Sequence, residues 1–272
     1  MISISVIVTS YNQRSTIEFL LASLEQQTYR DFEVILADDG SSDQTEQFIE
    51  KAWGFSLRWV TQKDEGYRKS RILNEAIRQA RADYLIFVDG DVVLERHFIQ
   101  DHWQLRKVGH FVCGRRVDLG PEFSKQVSLN KIQNGFLTVA SCSLRWSLFL
   151  SGWRGDSEGI KRGWRVPRFL RRWMGYHRPL DILGSNLGVW KLDLYAVNGF
   201  NEDLESYWGE DGDLYIRLRN SGRISTGAKG LCIQYHIFHM RRPVSAENVR
   251  RYQAKLEDLS YKWAKLGLDR VT

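Results

Sequence analysis

Apolar and polar residues alternate along the first 110 positions in the manner of an α/β protein. Short apolar runs that stop on polar residues are typical of buried strands, and apolar residues at helical spacing lie between them. The predicted strands are ISVIVTSYN, DFEVILADDGSSD, FSLRWVTQ and DYLIFVDGD, and the predicted helices are STIEFLLASLEQQ, QTEQFIEKAW and YRKSRILNEAIRQARA. In the first helix Ser15 is the expected N-cap, with Glu18 completing a capping box. This alternation predicts βαβ units around a mainly parallel sheet.

The pattern is less regular after about residue 110. A short strand and a helix start are predicted in GSNLGVWKLDLYAVNGFNEDL, a helix with acidic residues at its head in YWGEDGDLYIRLRNSG, and a last strand in CIQYHIFHM. A C-terminal helix is expected to begin near Ser245. Because no internal repeat or low-complexity linker divides the chain, we expect one domain overall.

Composition narrows the class of protein. The 272 residues include three widely spaced cysteines, Cys113, Cys142 and Cys232, which form neither a disulfide framework nor a CxxC metal clip and favour a reducing compartment. The N-terminus lacks the features of a signal peptide, and no run of about 18 apolar residues predicts a transmembrane helix. We therefore expect a cytoplasmic protein, or one held peripherally at the inner face of the membrane.

Polar side chains end the predicted strands and are candidates for chemistry. Because the carboxyl ends of parallel strands meet at one edge of a sheet, the segments 9–11, 38–39 and 89–91 are expected to lie together there. The motif Asp89-Gly90-Asp91 fits either a turn that ends a strand or a site where two carboxylates face one Mg²⁺ or Mn²⁺ ion. The motif alone does not separate these interpretations.

A second acidic cluster, Glu210-Asp211 with Asp213 close behind, opens a predicted helix. These carboxylates either complement the helix dipole or include a general base held beneath Trp208, where Gly209 permits close approach of a ligand.

Two histidines, His236 and His239, lie in the last predicted strand. Residues three apart in a strand point to opposite faces, so a two-histidine metal clip is not expected unless the segment turns. A lone histidine in a strand is more often a structural residue.

Seven of these segments, in this order and at this spacing, resemble glycosyltransferase family 2, whose members have the GT-A fold. SVIVTSYN, VILADDGSSDQT, GYRKSRILNEAI and LIFVDGDVVL resemble its nucleotide-sugar half. GSNLGVWKLDLYAVNGFNEDL, WGEDGDLYIRLRNSG and YHIFH resemble the acceptor half of its galactosyltransferase and chondroitin-polymerase-like members. The resemblance covers about residues 3–240.

The resemblance implies a Rossmann-like, mainly parallel sheet flanked by helices, with a small acceptor-side region. It divides the single GT-A domain into a nucleotide-sugar-binding half at residues 1–110 and an acceptor-binding and catalytic half at 111–240. The C-terminal helix predicted from the pattern, at 241–272, follows these halves.

The resemblance also implies a role for each matching residue. The residues implied to bind the nucleotide sugar are Thr9, Tyr11, one or both of Asp38 and Asp39, Arg71, and Asp89. Those implied to hold the metal are Asp91, in the family's DXD position, Asp89 and His236, with His239 less certain. Those implied to act in catalysis are Asp211, as the base, and Glu210, as an acceptor or sugar contact. On the acceptor side the implied residues are Asn186 and Trp208.

The activity implied is metal-dependent, inverting transfer of a sugar from a nucleotide sugar, with UDP expected, to a hydroxyl of a glycan or lipid-linked glycan. Mn²⁺ or Mg²⁺ would neutralise charge on the leaving phosphate, and a separate carboxylate would take the acceptor's proton. Two other functions stay open. One is a sugar nucleotidyltransferase, although TSYNQRST lacks the glycines of a phosphate loop. The other is a non-catalytic glycan-binding or assembly module on a transferase scaffold.

Residues 144–178, the basic aromatic segment, stand apart from the shared motifs. They contain nine Arg or Lys residues against two acids, and four of the ten Trp. The interspersed apolar and basic residues of RVPRFLRRWMGY favour an amphipathic helix on an anionic membrane surface, close to a lipid-linked acceptor. Charge reversal at Arg168, Arg171 and Arg172 would then release the protein from anionic vesicles, whereas simple solvation of the arginines is the alternative. No nucleic-acid-binding module is recognisable, so nucleic acid is not an expected partner.

Overall fold

The structure is a computed structural model, and it describes residues 2–204, 207–240, 243–244 and 246–269. The strands are β1 (Ile4–Ser10), β2 (Phe32–Asp38), β3 (Ser56–Thr61), β4 (Tyr84–Asp89), β5 (Val92–Leu94), β6 (His110–Cys113), β7 (Val117–Asp118), β8 (Leu187–Trp190), β9 (Ile224–Gly227) and β10 (Gln234–His236). The α-helices are α1 (Arg14–Glu25), α2 (Lys69–Gln79), α3 (Phe98–Leu105), α4 (Pro121–Ser124), α5 (Leu129–Gln133), α6 (Cys142–Trp153), α7 (Arg168–Trp173), α8 (Lys191–Tyr195), α9 (Glu210–Asn220) and α10 (Ala246–Lys255). Two 3₁₀ helices cover Thr45–Glu50 and Ile160–Gly163.

The predicted mainly parallel sheet is confirmed. Seven strands are ordered β3-β2-β1-β4-β8-β6-β9, and β1 to β4 are all parallel to their neighbours within that group. Strand β8 runs antiparallel to both of its neighbours. The register aligns Thr9 with Asp89 and Ser10 with Asp38. The polar ends of three strands therefore lie side by side at one edge.

Helices cover both faces of this sheet, which explains why its strands are continuously apolar. In β1, Val6 and Val8 pack with Leu20 of α1 in one buried cluster. Ile7, between them in sequence, packs with Ile72 of α2 in another. Successive residues of a strand face opposite sides, so each face receives its own helix.

The start of α1 differs from the prediction. The predicted N-cap at Ser15 is wrong, because the helix begins at Arg14 and Gln13 occupies the cap position without a side-chain hydrogen bond. The Asp43 carboxylate accepts a hydrogen bond from the Arg14 backbone N–H at 2.7 Å. A loop that follows β2 thus satisfies a helix N-terminus that the local sequence leaves open.

A three-stranded sheet ordered β5-β10-β7 lies beyond the carboxyl end of β4. The C-terminal helix is shorter than predicted, because α10 ends at Lys255 and the rest of the described chain is irregular. The predicted start at Ser245 lies outside the described residues. Leu268 joins the core beside α2, and its carbonyl accepts a hydrogen bond from Arg78 at 2.8 Å. No helix among the described residues is long and apolar enough to cross a bilayer.

Candidate active site

A cleft opens at the carboxyl ends of β1, β2 and β4, the edge where the sequence predicts a site. The described side chains that line it are Thr9, Ser10, Tyr11, Gln13, Asp39, Tyr67, Lys69, Ile72, Asp89, Asp91, Arg116, Tyr207, His236 and His239. Residues from the first strands and from the end of β10 therefore share one site.

The turn after β4 packs tightly against the end of β1. The Gly90 backbone N–H donates to the Thr9 carbonyl at 2.9 Å, and a Cβ at position 90 would lie 2.9 Å from that same oxygen. Only glycine fits this approach without a shift of the backbone. The Thr9 hydroxyl donates to Asp89 Oδ1 at 2.9 Å, which fixes the first of the two aspartates.

The second aspartate, Asp91, lies against both histidines. Its Oδ2 is 3.0 Å from His239 Nε2 and 3.5 Å from His236 Nε2, and it accepts a hydrogen bond from Gln13 Nε2 at 3.1 Å. Burial alone would raise the pKa of Asp91, but the hydrogen bonds from the two histidines outweigh burial and lower it. Asp91 is therefore held as an anion.

The two histidines meet because the chain leaves its strand between them. Strand β10 ends at His236, and His239 turns back so that the two Nε2 atoms are 3.1 Å apart. A two-histidine clip was expected only if the segment turned, and the chain does turn between the two histidines. The hydrogen bond to Asp91 raises the pKa of His239, and Asp118 Oδ1 lies 3.5 Å from Nδ1 of His236.

These three side chains fit a divalent cation. One ligand atom from each of Asp91, His236 and His239 lies within 4.8 Å of the others. Asp91 Oδ1 is buried and has no hydrogen-bond partner among the described residues. Buried polar atoms normally have partners, so this oxygen is suited to coordinate a cation. A carboxylate with two imidazoles suits Mn²⁺ better than Mg²⁺, which prefers oxygen ligands.

A lysine that the sequence analysis did not select joins the two acidic clusters. Lys69, the first residue of α2, places Nζ 3.1 Å from Asp89 Oδ1 and 3.4 Å from Glu210 Oε1. Burial would lower the pKa of Lys69, but the charges of Asp89 and Glu210 outweigh it and raise the pKa well above its ordinary value. The sequence held no signal for this lysine, because both of its carboxylate partners lie far from it along the chain.

The acidic pair at the head of α9 is oriented by a sharp turn. Trp208 and Gly209 have φ values of +84° and +112°, a region that glycine adopts freely and tryptophan rarely does. The Tyr67 hydroxyl donates to Glu210 Oε1 at 2.9 Å. Tyr67 and Lys69 thus contact Glu210 from the cleft side, and neither acid of the pair is among the side chains that line the cleft.

Asp211, the second acid of the pair, has surroundings that shift its pKa. Its Oδ2 accepts a hydrogen bond from the Gly184 N–H at 2.7 Å, whereas its Oδ1 is buried without a hydrogen-bond partner among the described residues. Burial, followed by the charge of Glu210, raises the pKa of Asp211 to about 7. A carboxylate with such a pKa is suited to accept a proton near neutral pH.

Some of the residues implied to bind the nucleotide line the cleft, and others do not. Asp39 lines the cleft and accepts a hydrogen bond from the Arg68 N–H at 2.9 Å. Asp38 is fully buried, where it accepts a hydrogen bond from Trp59 Nε1 at 3.3 Å. Burial raises the pKa of both carboxyl groups. Tyr11 lines the cleft, whereas Arg71 does not.

The two residues predicted on the acceptor side do not reach the cleft. Asn186 is fully buried, with Oδ1 3.0 Å from His102 Nε2 and with Nδ2 donating to the Cys232 carbonyl at 2.9 Å. The amide group of Asn186 is thus engaged within the core, and its acceptor-side role stays a prediction. Trp208 packs against Tyr252 with ring centroids 5.5 Å apart, and its neighbour Tyr207 lines the cleft instead.

Comparison with known sequences identifies the family. The sequence profile of glycosyl transferase family 2 matches residues 5–151. The chain belongs to glycosyl transferase family 2. A second profile, the N-terminal domain of galactosyltransferase, matches residues 167–240 of this family 2 protein.

The curated relatives are longer than this family 2 chain. A chondroitin synthase of Escherichia coli is 25% identical over 256 residues, which are 90% of this chain and 35% of the relative. A validoxylamine A glucosyltransferase of Streptomyces hygroscopicus is 33% identical over 232 residues, which are 80% of this chain and 52% of the relative. The chain therefore spans between about a third and about half of these proteins.

Solved structures confirm the GT-A fold of the family 2 chain. Staphylococcus aureus TarS in complex with UDP-GlcNAc aligns with 98% of this chain and 68% of its own, at a TM-score of 0.61 and 19% identity. A mannosyltransferase from Pyrobaculum calidifontis in complex with GDP-Man and Mn²⁺ aligns with 92% of this chain and 60% of its own, at a TM-score of 0.56 and 18% identity.

Proposed function

We propose that this family 2 protein is a metal-dependent, inverting glycosyltransferase. It moves a sugar from a nucleotide sugar, with UDP as the expected nucleotide, to a hydroxyl of a glycan or lipid-linked glycan. The observation that carries the proposal is that the candidate cation group of Asp91, His236 and His239 lines a cleft, while a separate carboxylate pair lies just behind the cleft residues Tyr67 and Lys69. The UDP-GlcNAc complex of TarS and the Mn²⁺ complex of the mannosyltransferase support the proposed donor and ion.

Asp91, His236 and His239 would hold Mn²⁺ or Mg²⁺, and Asp89 would contact the ribose or the ion. When bound, the ion supplies positive charge that stabilises the leaving phosphate oxygens. This charge favours the state in which the nucleotide leaves as an anion. Lys69 Nζ, 3.1 Å from Asp89 and 3.4 Å from Glu210, offsets the negative charge of these two carboxylates beside the cleft.

Asp211 is the proposed general base. As the acceptor oxygen attacks the anomeric carbon, Oδ1 of Asp211 takes the hydroxyl proton, and the bond between the anomeric carbon and the phosphate oxygen breaks. A single displacement of this kind inverts the anomeric centre. Glu210, held by Tyr67 and Lys69, would contact the acceptor or the sugar.

A donor screen with one variant tests the proposal. UDP-, GDP- and dTDP-sugars are added with and without Mn²⁺, and donor binding is followed by thermal shift because a ligand stabilises the state that it binds. We expect a UDP-sugar to stabilise the protein only with Mn²⁺, and the D211N variant to keep this shift while losing transfer. The exposed carboxylate of Asp258 gives a matched control, D258N, with unchanged transfer.

Two results would contradict the proposal in different ways. Full transfer by D211N would show that Asp211 is not the base. Failure to hydrolyse any nucleotide sugar, with and without candidate acceptors, would favour the glycan-binding module over an enzyme.

A further inference from the structure

The positive charge of the protein is concentrated in the basic aromatic segment. Nine basic and two acidic residues give residues 144–178 a net charge of +7, whereas the whole chain carries +6. The rest of the protein is therefore close to neutral, and an anionic partner would be attracted to this segment in particular.

Two of the arginines attach the segment to the protein body. Arg165 Nη1 donates to Asp101 Oδ2 at 2.8 Å. Arg171 is buried and donates to the carbonyls of Gly227 at 2.8 Å and Lys229 at 2.9 Å. Arg171 therefore belongs to the fold, which corrects the sequence-based expectation that it acts with Arg168 and Arg172 at a surface.

Helix α6 has one buried side and one exposed apolar side. Leu144 and Leu148 are buried. Trp146, Phe149 and Trp153 are exposed, with 62% of Trp146 and 78% of Trp153 accessible to solvent. Positions i, i+3 and i+7 lie on one side of a helix, so these three aromatic side chains form a single stripe facing away from the protein.

The short helix α7 repeats this arrangement. Phe169 and Trp173, four residues apart, are 77% and 87% exposed. Arg172 is exposed beside them. Single exposed apolar residues are ordinary, but clusters of large aromatic side chains indicate a surface that is covered in use.

The segment is attached at the edge of the sheet where the cleft opens. A β-bridge joins Glu158 of the segment to Asp118. Asp118 in turn contacts His236 of the cleft. The Arg162 guanidinium donates to the carbonyl of Arg116, a residue that lines the cleft, at 3.1 Å. Whatever binds the segment is consequently brought close to the proposed active site.

We propose that the exposed faces of α6 and α7, with the exposed arginines beside them, bind an anionic lipid surface. Tryptophan and phenylalanine favour the interface between lipid headgroups and acyl chains, and arginines attract anionic headgroups. A second copy of the chain fits less well, because a symmetric contact would bring two segments of charge +7 together.

Vesicle co-sedimentation tests the proposal on the full chain. Vesicles of phosphatidylcholine alone are compared with vesicles that also contain phosphatidylglycerol, without donor or Mn²⁺. Binding is therefore scored independently of the proposed transfer reaction. We expect binding only to the anionic vesicles. The F169A/W173A variant and the W146A/F149A/W153A variant should each weaken it on the order of tenfold or more. Arg154 is exposed at the end of α6, as Arg172 is in α7, and R154Q/R172Q should weaken binding roughly 25-fold, about fivefold per arginine.

Matched controls lie at the opposite edge of the sheet. Leu192 is an exposed apolar residue and Arg81 an exposed basic one, so L192A and R81Q should bind vesicles like the wild type. All the altered side chains are exposed, and circular dichroism and thermal unfolding verify that each variant is folded.

Several results would overturn the proposal. These are absence of wild-type binding to anionic vesicles, unchanged binding by both aromatic variants, and equal losses in the two controls. Concentration-dependent dimerisation abolished by the aromatic variants, or binding to a single-stranded oligonucleotide in place of vesicles, would assign the surface to a different partner.

Discussion

Replacement of Asp211 by asparagine is expected to stabilise the protein at alkaline pH while it abolishes the proposed transfer. Burial and the neighbouring Glu210 raise the pKa of Asp211 from 3.8 to about 7. The unfolded chain therefore loses this proton at a lower pH than the folded chain does. The stabilising contribution of Asp211 is present in full below about pH 4 and is lost as the pH rises through about 7.

The shift of about three pKa units corresponds to about 4 kcal/mol over the whole range. Roughly two of these three pKa units lie between about pH 5 and about pH 8. Over that range the free energy of unfolding of the wild type should therefore fall by about 2.5 kcal/mol relative to that of D211N. The asparagine can keep the hydrogen bond from the Gly184 N–H. Any cost of its unpaired amide N–H groups is the same at both pH values, and it cancels in the comparison.

Urea unfolding followed by tryptophan fluorescence measures this difference, since the chain has ten tryptophans. The free energy of unfolding is determined for wild type and D211N at both pH values. D258N is the control, because hydrogen bonds from Ser260 lower the pKa of this exposed carboxyl, and a lowered pKa produces no change over this range. An equal wild-type to D211N difference at both pH values would refute the assignment of a raised pKa to Asp211.

Three further predictions concern the other charged groups. H239A should weaken Mn²⁺ binding by at least ~tenfold in a titration followed by electron paramagnetic resonance. H97A, at a histidine outside the candidate cation group, is the control. Equal Mn²⁺ affinities of H239A and the wild type would remove His239 from the site. K69M should lower the free energy of unfolding by about 3 kcal/mol, because two largely buried carboxylates lose their shared cation. K63M, at an exposed lysine, should leave that free energy unchanged, and equal effects would contradict the bridging role. R217M should cost about 4 kcal/mol, since Arg217 is fully buried, pairs with a carboxylate and donates to two carbonyls; a urea midpoint like that of the wild type would contradict this.

The parallel half of the fold is predictable from the sequence because local pattern and tertiary environment agree there. Strands β1, β2 and β4 are covered on both faces. Strands in this position are mostly apolar along their whole length, so the sequence alone reveals them. The N-terminus of α1 is different. Its capping carboxylate, Asp43, lies 29 residues away in sequence, so a rule that examines only nearby residues selects Ser15.

Residues of the candidate site could be selected from the sequence where they follow strand ends, but not where tertiary packing alone brings them to the site. Asp91 follows β4 of the large sheet and His236 ends β10 of the small one, and the resemblance marked both residues. Lys69 starts a helix, where a lysine usually extends into solvent, and only the positions of its two carboxylate neighbours show its role. Asn186 shows the converse, because nothing in the sequence distinguishes a polar residue buried in the core from one that faces a ligand.

The motif Asp89-Gly90-Asp91 reconciles the two interpretations that the sequence left open. It is a turn, since β4 ends at Asp89 and β5 begins at residue 92. It is also a candidate cation site, although the two carboxylates have different partners: Asp89 contacts Lys69, whereas Asp91 contacts the histidines. Gly90 allows this separation, because its close approach to the end of β1 anchors the turn between the two aspartates. The two aspartates of one motif therefore have different surroundings, and Asp91 is the one that belongs to the candidate cation group.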